Sequence, residues 1–81
     1  MKQVDLYTTL GCHLCEEARA LLDQYARESA PIGICEVEIS ESESLLSRYG
    51  VRIPVIRDNL GRELGWPFDY AALEAFLGED T

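Results

Sequence analysis

Two cysteines, Cys12 and Cys15, stand two residues apart in the stretch LYTTLGCHLCEEARALL, residues 6–22. Such a pair can hold a metal, staple the chain or exchange electrons with another disulfide. A structural zinc needs four ligands, usually from two such pairs. Only His13 and Cys35 could complete the set. His13 adjoins Cys12, and adjacent residues rarely reach one ion; Cys35 lies within a strand-like run. No metal site is expected. An inert pair would suit Cys15, a small apolar filler on a helix face, but not Cys12 in a glycine-containing turn. Redox chemistry fits both positions. Cys12 falls just ahead of a helix, where unpaired N–H groups carry roughly half a positive charge and favour a thiolate. Thiols so placed titrate anywhere from ~3.5 to ~7.5. Cys15 lies one turn on, on the same side and within reach of a disulfide. Cys12 is therefore the expected nucleophile and Cys15 the desolvated second thiol. Protonated, His13 could stabilise the neighbouring thiolate; otherwise it is a solvated residue of the helix start.

The elements that must position this pair follow from periodicity. In KQVDLYT, residues 2–8, Val4 and Leu6 alternate with Asp5 and Tyr7, a strand pattern. From His13 to about Ser29, Leu14, Cys15, Ala18, Leu21, Leu22, Tyr25 and Ala26 follow helical spacing. Glu16 and Glu17 suit the first turn, and Pro31 ends the helix. IGICEVEI, residues 32–39, reads as a second strand, with Cys35 as a buried apolar thiol in the middle of the sheet. Ser40 and Glu43 match a capping box opening a short helix, with Leu45, Leu46 and Tyr49 inward and Gly50 as its stop. The acids Glu36, Glu38, Glu41 and Glu43 read as a solvated face. VRIPVIRD, residues 51–58, is a third strand interrupted by Pro54. Asp58-Asn59-Leu60-Gly61 is turn chemistry leading to a fourth strand, Arg62 to Leu64. Trp66 reads as a packing anchor at the following corner. A last helix begins at Pro67 and Asp69, buries Leu73, Phe76 and Leu77, and stops at Gly78. The order β-α-β-α-β-β-α implies an α/β fold. A right-handed parallel crossover plus an antiparallel hairpin gives one mixed four-stranded sheet with helices on both faces. Residues 1–81 are expected to form a single domain.

Composition narrows the functions. The formal net charge is −8, and the cations are Lys2 and six arginines. A phosphate-tracking surface needs clustered bases, so nucleic acid is not an expected partner. No apolar run approaches the ~20 residues of a membrane helix, so no membrane partner is expected either. The N-terminal MKQVDLY lacks the pattern of a signal peptide. Three cysteines cannot all pair within one chain, which points to a reducing compartment, the cytoplasm.

With these elements in place, the chain resembles the glutaredoxin-like members of the thioredoxin superfamily. Cys12-His13-Leu14-Cys15 stands where that family has its C-x-x-C, after the first strand. Arg52-Ile53-Pro54 stands where it has a cis-proline loop facing the cysteines, and Tyr49-Gly50-Val51-Arg52-Ile53-Pro54 resembles the thioredoxin stretch before that proline. Length and element order match glutaredoxins; Leu6 takes the place of a buried thioredoxin aspartate. The resemblance implies a thioredoxin/glutaredoxin-like fold and thiol–disulfide oxidoreductase activity, with Cys12 and Cys15 catalytic. It implies a substrate-binding loop at Arg52, Ile53 and Pro54, with a cis bond before Pro54. The expected substrate is a disulfide-containing protein or a small thiol. No organic cofactor is expected; glutathione or a thioredoxin-type reductase would supply electrons to a monomer. A non-catalytic peptide-binding module with the same fold is the alternative, and an iron–sulfur or zinc carrier a third reading. Three positions depart from the glutathione-binding pattern. Thr9 replaces a lysine, Arg52-Ile53 replaces Thr-Val, and Gly65-Trp66-Pro67-Phe68-Asp69 replaces a Gly-Gly corner with acidic residues.

Overall fold

The computed structural model describes residues 2–78. Strand β1 (Lys2–Thr8) leads to helix α1 (His13–Glu28), then β2 (Ile32–Glu38) and a 3-10 turn at Ile39–Glu41. Helix α2 (Glu43–Tyr49), the hairpin β3 (Val55–Asp58) and β4 (Glu63–Gly65), and helix α3 (Tyr70–Gly78) complete the order. The sheet runs β2-β1-β3-β4. Strand β1 pairs parallel with β2, placing Val4 opposite Ile34, and antiparallel with β3, placing Leu6 opposite Ile56. This is the mixed four-stranded sheet of a thioredoxin-like fold.

Both faces of the sheet are covered, because its strands bury side chains in both directions. Val4, Leu6 and Ile56 pack beneath α1 and α3 against Ala18, Leu22, Tyr25, Leu73 and Leu77. Tyr7 and Val55, on the opposite face, form a second core with Ile39 and Tyr49. The Tyr7 and Tyr49 rings stack with centroids 4.2 Å apart. No helix of the described residues is long and apolar enough to cross a membrane.

Several local expectations are corrected. Cys35 is exposed rather than buried in mid-sheet, because β2 is an edge strand and Cys35 lies beyond the cover of α2. Leu46 and Leu14 face solvent, each 44% exposed. Each helix has core on one narrow side only, so their outer apolar positions find nothing to pack on. The capping box at Ser40 does not form. Ile39 is buried and pins a tight turn directly after β2, so Ser42 becomes the cap, its hydroxyl accepting from the Leu45 N–H at 3.3 Å. Strand β3 is shorter than expected. The N–H groups of Arg52 and Ile53 both donate to the Tyr49 carbonyl, continuing the helical path up to Pro54. Gly50 closes α2 with φ −51°, in the right-handed region, so a left-handed glycine is not what ends the helix. The hairpin forms as expected, with Gly61 at φ 87° in its turn, though β4 is shifted by one residue to Glu63–Gly65.

Candidate active site

The segment joining β1 to α1 is a tight turn. The Cys12 N–H donates to the Thr9 carbonyl at 3.2 Å, and Gly11, the third residue, has φ 80°. A type II turn requires a positive φ there, which glycine adopts without strain. The turn delivers Cys12 to the N-cap of α1, where its Sγ accepts from the Cys15 N–H at 3.1 Å. One turn later Cys15 points into the core side of the helix, 3% exposed, while Cys12 stays half-buried. The two sulfurs are joined as a disulfide across a Cα–Cα distance of 5.2 Å. This separation is well within disulfide range.

A cleft of about 290 Å³ opens beside the pair, lined by Thr8, Thr9, Gly11, Glu16, Arg19 and Glu36 among others. Arg19 brings the one cationic side chain of this lining, and it is already engaged. Its Nη1 donates to Glu36 at 2.7 Å and its Nε to Asp23 at 3.1 Å. Glu38 braces the approach to Cys12 from the end of β2. One carboxylate oxygen accepts from the Leu10 N–H and the other from the Ser40 N–H, each at 3.1 Å. Hydrogen bonds from Thr9 and Ser40 hold this carboxyl below its ordinary range. Neither Glu36 nor Glu38 is merely a solvated face residue.

His13 is exposed, with Nε2 3.7 Å from Glu17 on the next turn. Arg52, Ile53 and Pro54 do not line the cleft. Arg52 turns to Glu63 at 3.3 Å and lies over the Tyr49 ring. The Tyr49 hydroxyl donates to the same carboxylate at 2.5 Å. Burial, reinforced by this bond to Glu63, pushes the Tyr49 phenol up to about 12. The bond from Tyr49, and then Arg52, holds Glu63 below its usual range despite burial. The Ile53–Pro54 and Trp66–Pro67 peptide bonds are both cis, and the Trp66 N–H donates to the Pro54 carbonyl at 3.0 Å. Among the described residues, no group of three or more His, Cys, Asp or Glu side chains is arranged to hold a metal ion.

Sequence reasoning placed both cysteines but missed Arg19, Glu38 and Glu63. Arg19 carried a signal, since it lies one turn beyond Cys15 on α1. Glu38 and Glu63 carried none, because their partners are far away in the chain.

The family model described as a glutaredoxin-like domain (DUF836) matches residues 3–78. The chain belongs to this glutaredoxin-like family. Among solved structures, the structural-genomics target XcR50 from X. campestris is 44% identical, with a TM-score of 0.83 over 96% of this chain and 99% of that one. Protein Ne2328 from Nitrosomonas europaea is 30% identical, with a TM-score of 0.80 over 93% of this chain and 89% of that one. A thioredoxin from Halobacterium salinarum, 21% identical, shares the fold with a TM-score of 0.65 over 93% of this chain and 70% of that one. No protein with a curated description matches the chain. The glutaredoxin-like domain thus carries a Cys12–Cys15 pair at the start of α1 on a thioredoxin-like fold.

Proposed function

We propose that this glutaredoxin-like domain is a thiol–disulfide oxidoreductase acting on protein or peptide disulfides. The observation that carries the reading is the asymmetry of the pair: Cys12 is half-buried at a helix start, and Cys15 is buried one turn on. In the reduced protein, the Cys12 thiolate attacks one sulfur of a substrate disulfide. That S–S bond breaks, the other substrate sulfur leaves as a thiolate, and a mixed disulfide remains on Cys12. Cys15 loses its proton to solvent and attacks the Cys12 sulfur. The second substrate sulfur departs and the Cys12–Cys15 disulfide forms. Two electrons have moved from the dithiol to the substrate. The Cys15 N–H directed at the Cys12 Sγ stabilises the negative charge of the attacking thiolate in the first step. Glutathione or a thioredoxin-type reductase would return the two electrons, in a reducing compartment such as the cytoplasm.

Leu10 is 92% exposed and flanks the pair, offering apolar surface to a polypeptide substrate. Arg52, Ile53 and Pro54 are proposed to bound the substrate on another side. Arg52 and Ile53 do so through side chains rather than through their N–H groups, while Pro54, its side chain fully buried, shapes the loop from within. The N–H groups of Arg52 and Ile53 and the Pro54 carbonyl are already bonded within the chain.

The test is reduction of insulin by a supplied thiol reductant, with and without the protein. The wild-type chain should accelerate it, Cys12→Ser should not, and Cys15→Ser should accumulate a mixed disulfide with substrate. A wild-type rate equal to that of the reductant alone would overturn the proposal.

A further inference from the structure

A second and larger groove, about 500 Å³, lies on the other flank of α1, against the corner between β4 and α3. Its walls are apolar: Leu21 from α1, and Trp66, Phe68 and Tyr70 from the corner. The Trp66 and Phe68 rings meet edge to face with centroids 5.0 Å apart. Its charged lining residues are Glu17 and Asp69, and no Lys, Arg or His is among them. One Asp69 oxygen caps α3 by accepting from the Ala72 N–H at 2.8 Å. Glu17 faces His13, 3.7 Å away, at the groove's end nearest the dithiol.

We propose that this groove takes a cationic, otherwise apolar segment flanking the disulfide of the substrate. The inference rests on the oxidoreductase reading and names the substrate class of that same site. Aromatic faces and carboxylates together select a guanidinium or ammonium on an apolar stem. The placement fits a residue near the attacked cysteine. Glu17 is five residues beyond Cys12 on α1, a rise of roughly 7–8 Å along the helix. An extended peptide covers that span in roughly two to four residues. Anionic substrates are disfavoured twice. The groove is acidic, and Arg19 in the cleft on the other flank is already paired with Glu36 and Asp23.

Trp66 is the sole tryptophan of the chain, so its fluorescence reports occupancy directly and without turnover. The oxidised protein is titrated at low salt with cysteine-free peptides of leucine interspersed with arginine, serine or glutamate. The arginine peptide should shift Trp66 emission to saturation, and the glutamate peptide should not. Affinity for the arginine peptide should fall roughly fivefold in Glu17→Gln, and again in Glu17→Gln/Asp69→Asn, as for partly exposed ion pairs. Asparagine at position 69 retains the capping oxygen. In a second arm, disulfide peptides with arginine, serine or glutamate three residues from the cysteine are reduced under supplied thiol. The arginine peptide should show the lowest KM, with kcat unchanged. Equal binding of arginine and serine peptides, or no Trp66 response to either, overturns the inference whatever the reduction rates. If the arginine peptide binds but no disulfide is reduced, the oxidoreductase reading falls and the groove assignment stands.

Discussion

Asp58 anchors the hairpin whose far ends carry Pro54 and Trp66, and its replacement by asparagine should be costly. The side chain is 1% exposed. One carboxylate oxygen accepts from the Leu60 N–H at 3.0 Å and the Arg62 N–H at 2.9 Å, and the other from Arg62 Nε at 2.7 Å. Burial pushes this carboxyl up, but the bonds from the Arg62 backbone and guanidinium and from Leu60 outweigh it, and the group sits below its ordinary value. In Asp58→Asn one amide oxygen can still accept the two backbone bonds. The amide nitrogen must face the Arg62 guanidinium, so that charged bond is lost and the other two lose their charge. A charged hydrogen bond contributes ~1.5–3 kcal/mol and a neutral one ~0.5–1.5, so losing one charged bond and weakening the other two by roughly 1 kcal/mol each comes to about 4 kcal/mol. For a two-state domain of this size that is a fall in Tm of roughly 16–32 °C. Thermal melts followed by far-UV circular dichroism at neutral pH measure it. The pH dependence gives a second, independent check. A depressed carboxyl stabilises the fold above its unfolded value of about 3.9 and loses that contribution as pH falls through the folded value. The gap between wild type and Asp58→Asn should therefore be full at neutral pH and close in acid. A fall of less than about 4 °C at neutral pH would refute the reasoning, since even one neutral bond is worth that much. So would a gap that persists unchanged below the folded value.

Three further outcomes follow from the same structure. Because the Tyr49 phenol sits at about 12 rather than 10.0, the folded state holds that proton more tightly, so stability should decline between these two pH values; the decline should be absent in Tyr49→Phe, as measured by alkaline denaturation. Limiting iodoacetamide should label only Cys35 in the oxidised protein and, after reduction of Cys35→Ser, Cys12 well before Cys15; peptide mapping that finds Cys15 first would reverse the assigned roles. Turnover of a glutathione mixed disulfide should be slower than that of a protein disulfide, because Arg19 and Arg52 are both committed to carboxylates of the chain and Thr9 brings no cation; a glutathionylated substrate favoured by an order of magnitude would contradict this.

What the sequence disclosed, and what it hid, follows the range of the forces involved. The helix carrying the dithiol was legible because Ala18, Leu22 and Tyr25 repeat with the turn of the helix, and that repeat also sent Cys15 inward. The fate of Cys35 was not legible. IGICEVE alternates in the same way whether its strand is flanked on both sides or one, and only the strand order shows that β2 has an open edge. Leu14 and Leu46 failed for a related reason: periodicity gives the direction of a side chain but not whether anything packs there. The start of α2 was misplaced because Ile39 had a stronger demand for burial than Ser40 had for a capping role.

The site's supporting contacts were hidden most completely. Glu38 braces Leu10 across 28 positions of sequence, and Tyr49 meets Glu63 across 14. In a chain of net charge −8, one glutamate looks like another until the fold supplies its donor. The two cysteines were readable because their chemistry depends on each other and on one helix start. The residues that hold the turn ahead of them rely on β2 finding β1, and the parallel register Thr8↔Glu38 is what brings Glu38 to the Thr9–Leu10 backbone. Replacing Glu38 should therefore loosen the presentation of Cys12 without touching either sulfur, a separation of positioning from chemistry that the motif alone cannot express.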